Sequence, residues 1–413
     1  MVEEQPQIAE RKTGASRRLV ALLAVTAGAS AANLYYVQPL LHTLGQALSV
    51  SDSTAGLLVT IAQVGYVIGL VLLVPLGDLL ERRRLIVTML LVVTCAQAIA
   101  AAAPSFALFA AALGIASLAS VLAQVIVPMS SSIAAEHERG QVVGAVMSGL
   151  LIGILIARTA SGVIAGVFGW RVVFICASAS MLLLAVVLRR ALPIDAPSEE
   201  LPYRELLRSV LALVREQPVL RQRMALGAAS FGCFSVLWTS LAFLLSAPPF
   251  NYGTVVIGLF GLAGIAGALA APIAGRLADR GKGRLATTAG LVILLASWGI
   301  LAAGKTSVVA LIAGIVVLDL AVQGAHIVNQ SVIYTLAPEA RSRLTTAYMV
   351  SFFLGGAILS ALASAIYSSG GWTGICLLGA ATAAVGLALW GITEMHFRAG
   401  RVTGELAAGA AER

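Results

Sequence analysis

About a dozen apolar segments, each ~20 residues or longer, follow one another along this chain, and segments of that length are long enough to cross a bilayer. Hydrocarbon offers backbone N–H and C=O groups no partner, so each such segment has to be an α-helix that closes its own hydrogen bonds. The predicted cores are 19–41, 54–76, 85–103, 105–133, 141–167, 170–188, 224–246, 254–274, 285–303, 306–335, 344–368 and 371–393, numbered below as spans 1 to 12. Composition agrees. The 413 residues are 59% hydrophobic and 11% charged, with a mean hydropathy of +0.95, which leaves too little polar surface to coat a water-soluble globule.

A net charge of +8 raises the question of nucleic acid, and the placement of the basic residues answers it. Of the 27 Lys and Arg, all but Arg158, Arg171 and Lys305 fall in the two tails or in the connections after even-numbered spans. That asymmetry predicts a multi-pass protein of a bacterial plasma (inner) membrane with both termini cytoplasmic, surrounded by lipid and binding no nucleic acid. Residues 11–32 share features with a signal peptide, but the apolar run continues through Tyr35, Tyr36 and Leu41, and an even topology needs this helix. Cys95, Cys176, Cys233 and Cys376 lie singly in spans and form neither a metal nor a disulfide pattern.

The sequence echoes itself at an offset of about 200 residues: Gly169-Trp170 returns as Gly371-Trp372, Arg139 as Arg341 and Gly153 as Gly355. Two six-helix units in one orientation follow from this. The expected organisation is a tail over 1–18, a bundle over 19–188, a cytoplasmic linker over 189–223, a second bundle over 224–393 and a tail over 394–413. In the linker, Leu207, Val210, Leu211 and Val214 share a helical face edged by Arg204, Arg208 and Arg215, as in a helix lying on a membrane surface.

Two loops combine glycine, acid and arginine: Gly77-x-Leu79-x-Glu81-Arg82 and Gly275-x-Leu277-Ala278-Asp279-Arg280. In span 5, Gly144, Gly153, Ala157, Arg158, Ser161 and Gly162 stand at the spacing G-x8-G-x3-G-P-x2-G-G, with Arg158 at the proline position. Small residues there let helices approach closely. Together with the duplication, these motifs resemble the major facilitator superfamily and, within it, drug-efflux proton antiporters. The resemblance implies a twelve-helix, two-bundle transporter that works by alternating access, is not an enzyme, and uses the two loops as gates. It also implies that spans 1, 4, 7 and 10 line the transport path. Residues Gly299-x4-Gly304-Lys305-Thr306 fit a nucleotide-binding pattern, but they join two apolar spans, where no strand precedes the loop, so no nucleotide is expected. No hydrolase motif, catalytic residue, cofactor or metal site is visible.

Span 10 is the most informative segment. Asp319, Gln323, His326, Gln330 and Tyr334 fall within an arc of about 80°, a polar stripe roughly 22 Å long. A mid-membrane charge costs ~3 kcal/mol or more, so such a stripe lines a wet cavity or meets polar partners. Asp319 is the only acid and Arg158 the only base deep in a predicted span. Asp319, with His326 and Arg158, is the candidate proton-coupling set, and Arg158 is a candidate to pair directly with Asp319 in one state of the cycle. Asn33, Tyr36 and Gln38 of span 1, Gln124 of span 4, Phe231, Phe234 and Trp238 of span 7, and the remaining stripe residues are the candidate substrate cavity. Aromatics and amides suit an amphipathic organic solute.

The expectation is a monomer that exports such a solute in exchange for protons. Two alternatives stay open: a proton-coupled importer on the same fold, and a receptor or lipid-handling scaffold, which would need no mid-membrane acid.

Overall fold

The structure is a computed structural model that describes residues 16–135, 138–193, 202–264, 276–277, 280–337 and 340–411. Every regular element among them is helical. Among the described residues, nine stretches are long and apolar enough to cross a membrane. One of these, Arg341–Met395, is 55 residues long and contains spans 11 and 12, divided at Gly371, where φ is 52°. Gly169, its counterpart in the duplication, has φ 89° between Arg139–Phe168 (span 5) and Trp170–Ala191 (span 6). Both positions lie in the region that favours glycine, and each is followed by a buried tryptophan, Trp170 or Trp372.

Spans 1, 4 and 8 depart from the continuous helices expected. Span 1 is helical over Arg17–Ala32, turns at residues 33–37, passes through the 3-10 helix Gln38–Leu40 and resumes as Leu41–Ala47. Span 4 splits into Phe106–Ala119 and Leu122–Ile133. The second break has a visible partner in the first helix. The hydroxyl of Ser30 donates to the Ser120 carbonyl at 2.7 Å, while the Gln124 amide donates to Val121, so the ladder loses a rung where a side chain replaces it. Span 8 shows Thr254–Leu259 and the 3-10 turn Phe260–Gly264; its continuation lies outside the described residues.

The remaining spans are Asp52–Leu72, Arg82–Ala102, Pro218–Ser246, Gly283–Ala303 and Val308–Ile333. The seventh begins earlier than predicted, so residues 218–223, expected in the linker, belong to a membrane helix. The linker helix is Tyr203–Glu216. Its buried side chain is Leu206, and Val210, Leu213 and Val214 pack against the main core, whereas Leu211 is 57% exposed. Tyr203 ties it to span 2 by donating to the Leu72 carbonyl at 3.1 Å.

Within each half the duplication is also a packing motif. A Cβ on Gly153 would collide with the backbone of Gly28, and one on Gly355 with the backbone of Ala228, so spans 5 and 1 cross as spans 11 and 7 do. The halves meet on the side away from the basic loops. Thr43 and Thr254 hydroxyls lie 3.0 Å apart, Thr60 and Ser360 lie 2.8 Å apart, and Gln63 donates to Ser235 at 2.9 Å. Gly162 and Gly258 let spans 5 and 8 touch backbone to backbone. Outward faces carry side chains such as Ile156, Leu183, Leu377 and Val385, each more than half exposed and suited to lipid.

Candidate functional site: a charged, aromatic cavity between the halves

Below this closed seam lies a cavity of about 300 Å³. Spans 1, 2, 4, 5, 7, 8, 10 and 11 all contribute to its wall. Asp319, Gln323, His326 and Gln330 of the polar stripe line it, as do Gln124, Arg158, Phe231 and Phe234. Gln38 and Trp238 lie just beyond, around a smaller space that also touches Arg158.

Asn33, Tyr36 and Tyr334 do not line the cavity. The turn after Ala32 explains the first two, because a 100° wheel cannot be carried across it. Asn33 is instead locked inside the first half, donating to Ser120 Oγ at 3.1 Å and accepting from Gln97 Nε2 at 3.0 Å. Tyr35 takes the place expected of Tyr36. Tyr334 sits at the end of span 10, where its hydroxyl accepts from Thr345 at 3.3 Å.

The two buried charges do not form the candidate direct pair in this structure. Arg158, 2% exposed, donates from Nε to Gln38 Oε1 at 2.6 Å, and its guanidinium carbon lies 4.0 Å from the Trp238 ring centroid. Tyr35 and Phe234 rings flank it at 4.7 and 5.2 Å, a set of π-faces that stabilises a cation away from water. Trp238 then donates Nε1–H to Asp319 Oδ1 at 3.4 Å. Asp319 is 4% exposed, and the missing side chain of Gly264 leaves room beside its Oδ2. An indole thus joins an arginine of one half to an aspartate of the other.

His326 belongs to another group. Its Nδ1 is 3.1 Å from the Tyr348 hydroxyl, and its ring packs on Phe352 at 4.8 Å. Tyr348 also accepts from Asn329 at 3.5 Å, and Asn329 accepts from Arg223 at 3.2 Å. Arg223 is 5% exposed, donates to Thr287 at 2.9 Å and lies over Trp390 at 4.9 Å. Arg158 is therefore not the only buried base of the spans; Arg223 was obscured by its place beside the charged linker. Sequence reasoning also missed Tyr66, Phe352 and Phe353. Tyr66 and Phe353 bring rings from opposite halves to 4.4 Å, and Phe352 stacks on Phe231 at 4.2 Å. The i, i+4 spacing of Tyr348 and Phe352 was the available signal.

Of the gate residues, Arg82 donates to the Gly77 carbonyl and to Ser132 Oγ, each at 3.1 Å, so it ties its loop to the end of span 4. Glu81 pairs with Arg84 at 2.8 Å. Gly275 and Asp279 lie outside the described residues, and Arg280 is exposed. In span 5, Ser161 Oγ donates to the Arg158 carbonyl at 3.1 Å, Gly153 and Gly162 sit at helix crossings, and Gly144 faces open space. With arginine at the proline position, the helix runs unbroken from Arg139 to Phe168. Lys305 and Thr306 form the turn between two membrane helices, not a strand-to-helix phosphate loop.

A two-bundle helical membrane protein with a central cavity between its halves has the architecture of a secondary transporter. Residues 23–324 and 269–410 match the Major Facilitator Superfamily, and the chain belongs to that superfamily. The uncharacterized transporter YgaY of Escherichia coli O157:H7 is 50% identical over 375 residues, covering 91% of this chain and 95% of that one. "Probable transporter SCO4007" of Streptomyces coelicolor is 34% identical over 377 residues, covering 91% and 87%. Among solved structures, a bacterial homologue of the human lysosomal transporter Spinster, described as inward-facing and occupied, superposes with a TM-score of 0.76 at 13% identity, over 92% of this chain and 96% of that one.

Proposed function

We propose that this protein exports a small amphipathic organic solute across the bacterial inner membrane in exchange for protons, working as a monomer with both termini cytoplasmic. One observation carries the reading: a carboxylate, Asp319, is buried on the wall of the cavity between the halves, and among the described residues a single indole N–H is its hydrogen-bond donor. A mid-membrane acid of this kind is costly to keep charged and is a natural place to load and release a proton. In the proposed cycle the bundles 19–188 and 224–393 rock about the cavity. Asp319 takes the proton when the cavity faces away from the cytoplasm and gives it up on the cytoplasmic side, where substrate enters. Arg158 stabilises the charged carboxylate across Trp238, and His326, held by Tyr348, contacts substrate. The loops around Gly77, Glu81 and Arg82 and around Gly275, Asp279 and Arg280 fasten the cytoplasmic side when it closes.

The test uses inverted membrane vesicles loaded by an imposed pH gradient. Asp319→Asn should lose accumulation against a gradient, and the exchange that it retains should no longer respond to an imposed pH difference. Accumulation at the wild-type rate by a folded Asp319→Asn protein would refute the proton role. Import as the direction would show as gradient-driven uptake in right-side-out vesicles only.

A further inference from the structure

The charges of the cavity are balanced only as a set. Arg158 has Nε engaged by Gln38, while its buried Nη2 has no hydrogen-bond partner among the described residues. Asp319 accepts one long bond, from Trp238 at 3.4 Å, and Gly264 leaves space at its other oxygen. Apart from these two groups, three glutamines, His326 and the tyrosines Tyr35 and Tyr66, the described lining is apolar.

Resting on the reading of this cavity as the transport site, we propose that the substrate is a zwitterion. It would place a cationic nitrogen at Asp319, an anionic group at the free donor of Arg158, and an apolar, ring-sized body against the aromatic wall. A lone cation at Asp319 would leave the buried site with a net positive charge, facing Arg158 across a single indole. A lone anion at Arg158 would leave the opposite imbalance beside Asp319. Uncompensated charge in such a place is strongly unfavourable, whereas a molecule carrying both signs satisfies both residues and leaves the site neutral. The arrangement also fits exchange. The cationic nitrogen and a proton compete for one carboxylate; the proton-loaded site carries the same net positive charge as the lone-cation site and is the less stable one, which favours release of the proton as the zwitterion binds. A volume of about 300 Å³ suits a molecule the size of an aromatic amino acid.

The experiment is counterflow in proteoliposomes containing the full chain, with three matched probes: phenylalanine, its amide (a cation) and 3-phenylpropionate (an anion), repeated for the leucine and tryptophan series. Counterflow needs no pH gradient, so its outcome is separate from that of proton coupling, which gradient-driven uptake reads independently. At least one series should show the zwitterion exchanging about tenfold or more faster than either singly charged partner. Arg158→Gln should bring zwitterion and cation near parity, and Asp319→Asn should do the same for zwitterion and anion. Equal exchange of cation or anion by the wild-type protein, or no exchange of any zwitterion by protein with an intact thermal transition, overturns the proposal.

Discussion

Arg158 lies over the Trp238 ring, guanidinium carbon to ring centroid 4.0 Å, and the two residues come from opposite halves of the molecule. Because the same indole donates to Asp319, the tryptophan has two separable roles, one through its face and one through its N–H. Trp238→Phe keeps a face and removes the donor. Loss of a hydrogen bond to a charged group is worth about 1.5–3 kcal/mol, so the charged form of Asp319 should be harder to maintain by about tenfold or more. The expected outcome is a displaced pH dependence of gradient-driven uptake, with counterflow at fixed pH largely retained. An unmoved pH profile would show that the N–H is incidental.

The coupling between Arg158 and Asp319 should pass through Trp238. A double-mutant cycle with Arg158→Gln and Asp319→Asn is expected to give an interaction energy within the range of about 0.5–3 kcal/mol found for coupled neighbours. Repeating the cycle with Trp238→Leu should reduce it, read as apparent substrate affinity and thermal stability. A coupling that is unchanged without the indole would point to direct charge–charge interaction.

Gly162 and Gly258 touch backbone to backbone where spans 5 and 8 close the far side. Gly162→Val should therefore disfavour the closed arrangement without touching the cavity. In a cysteine-free background, a cysteine at Thr43 or Thr254 should react faster with an impermeant maleimide added from that side. Equal labelling in both backgrounds would mean that the far side opens by another movement.

Asn33 binds Ser120 and Gln97, three buried polar groups from three spans. Asn33→Ala strands the Gln97 amide, whereas Ser120 keeps its bond to the Ala116 carbonyl, and a stranded buried group costs about 1–3 kcal/mol. The variant should lower the thermal transition while leaving relative rates among substrates unchanged, because Asn33 does not face the cavity. A changed substrate preference at normal stability would return it to the transport path.

Lys305→Ala should leave transport and stability as they are, since Lys305 sits in an exposed turn between membrane helices. Loss of transport together with loss of measurable ATP binding would contradict the assignment of class.

The twelve spans, the duplication and the stripe from Asp319 to Gln330 were legible because apolar length and helical period are local properties. The breaks in spans 1 and 4 were not, since one of them is held by a hydroxyl ninety residues away, that of Ser30 on the Ser120 carbonyl. Arg223 read as a linker charge because its partners, Thr287, Asn329 and Trp390, come from three later helices. The candidate contact of Arg158 with Asp319 is not made here for a related reason. Two charges at similar depth look like partners in one dimension, and only the fold reveals the ring placed between them.

Beside the Gly162–Gly258 crossing, the polar part of the far-side closure is made by hydroxyls and an amide: Thr43 with Thr254, Thr60 with Ser360, and Gln63 with Ser235. Every one of these bonds has an equivalent in water, and a typical exchange of that kind changes free energy by only about 0.5–1.5 kcal/mol. A seam of leucines would have to be wetted before it could part, and its barrier would grow with the apolar area exposed. This closure behaves more like a zip fastener than a seal, parting tooth by tooth as solvent takes each place. The balance between shut and open is then fine enough to be tipped by what occupies the cavity beneath it.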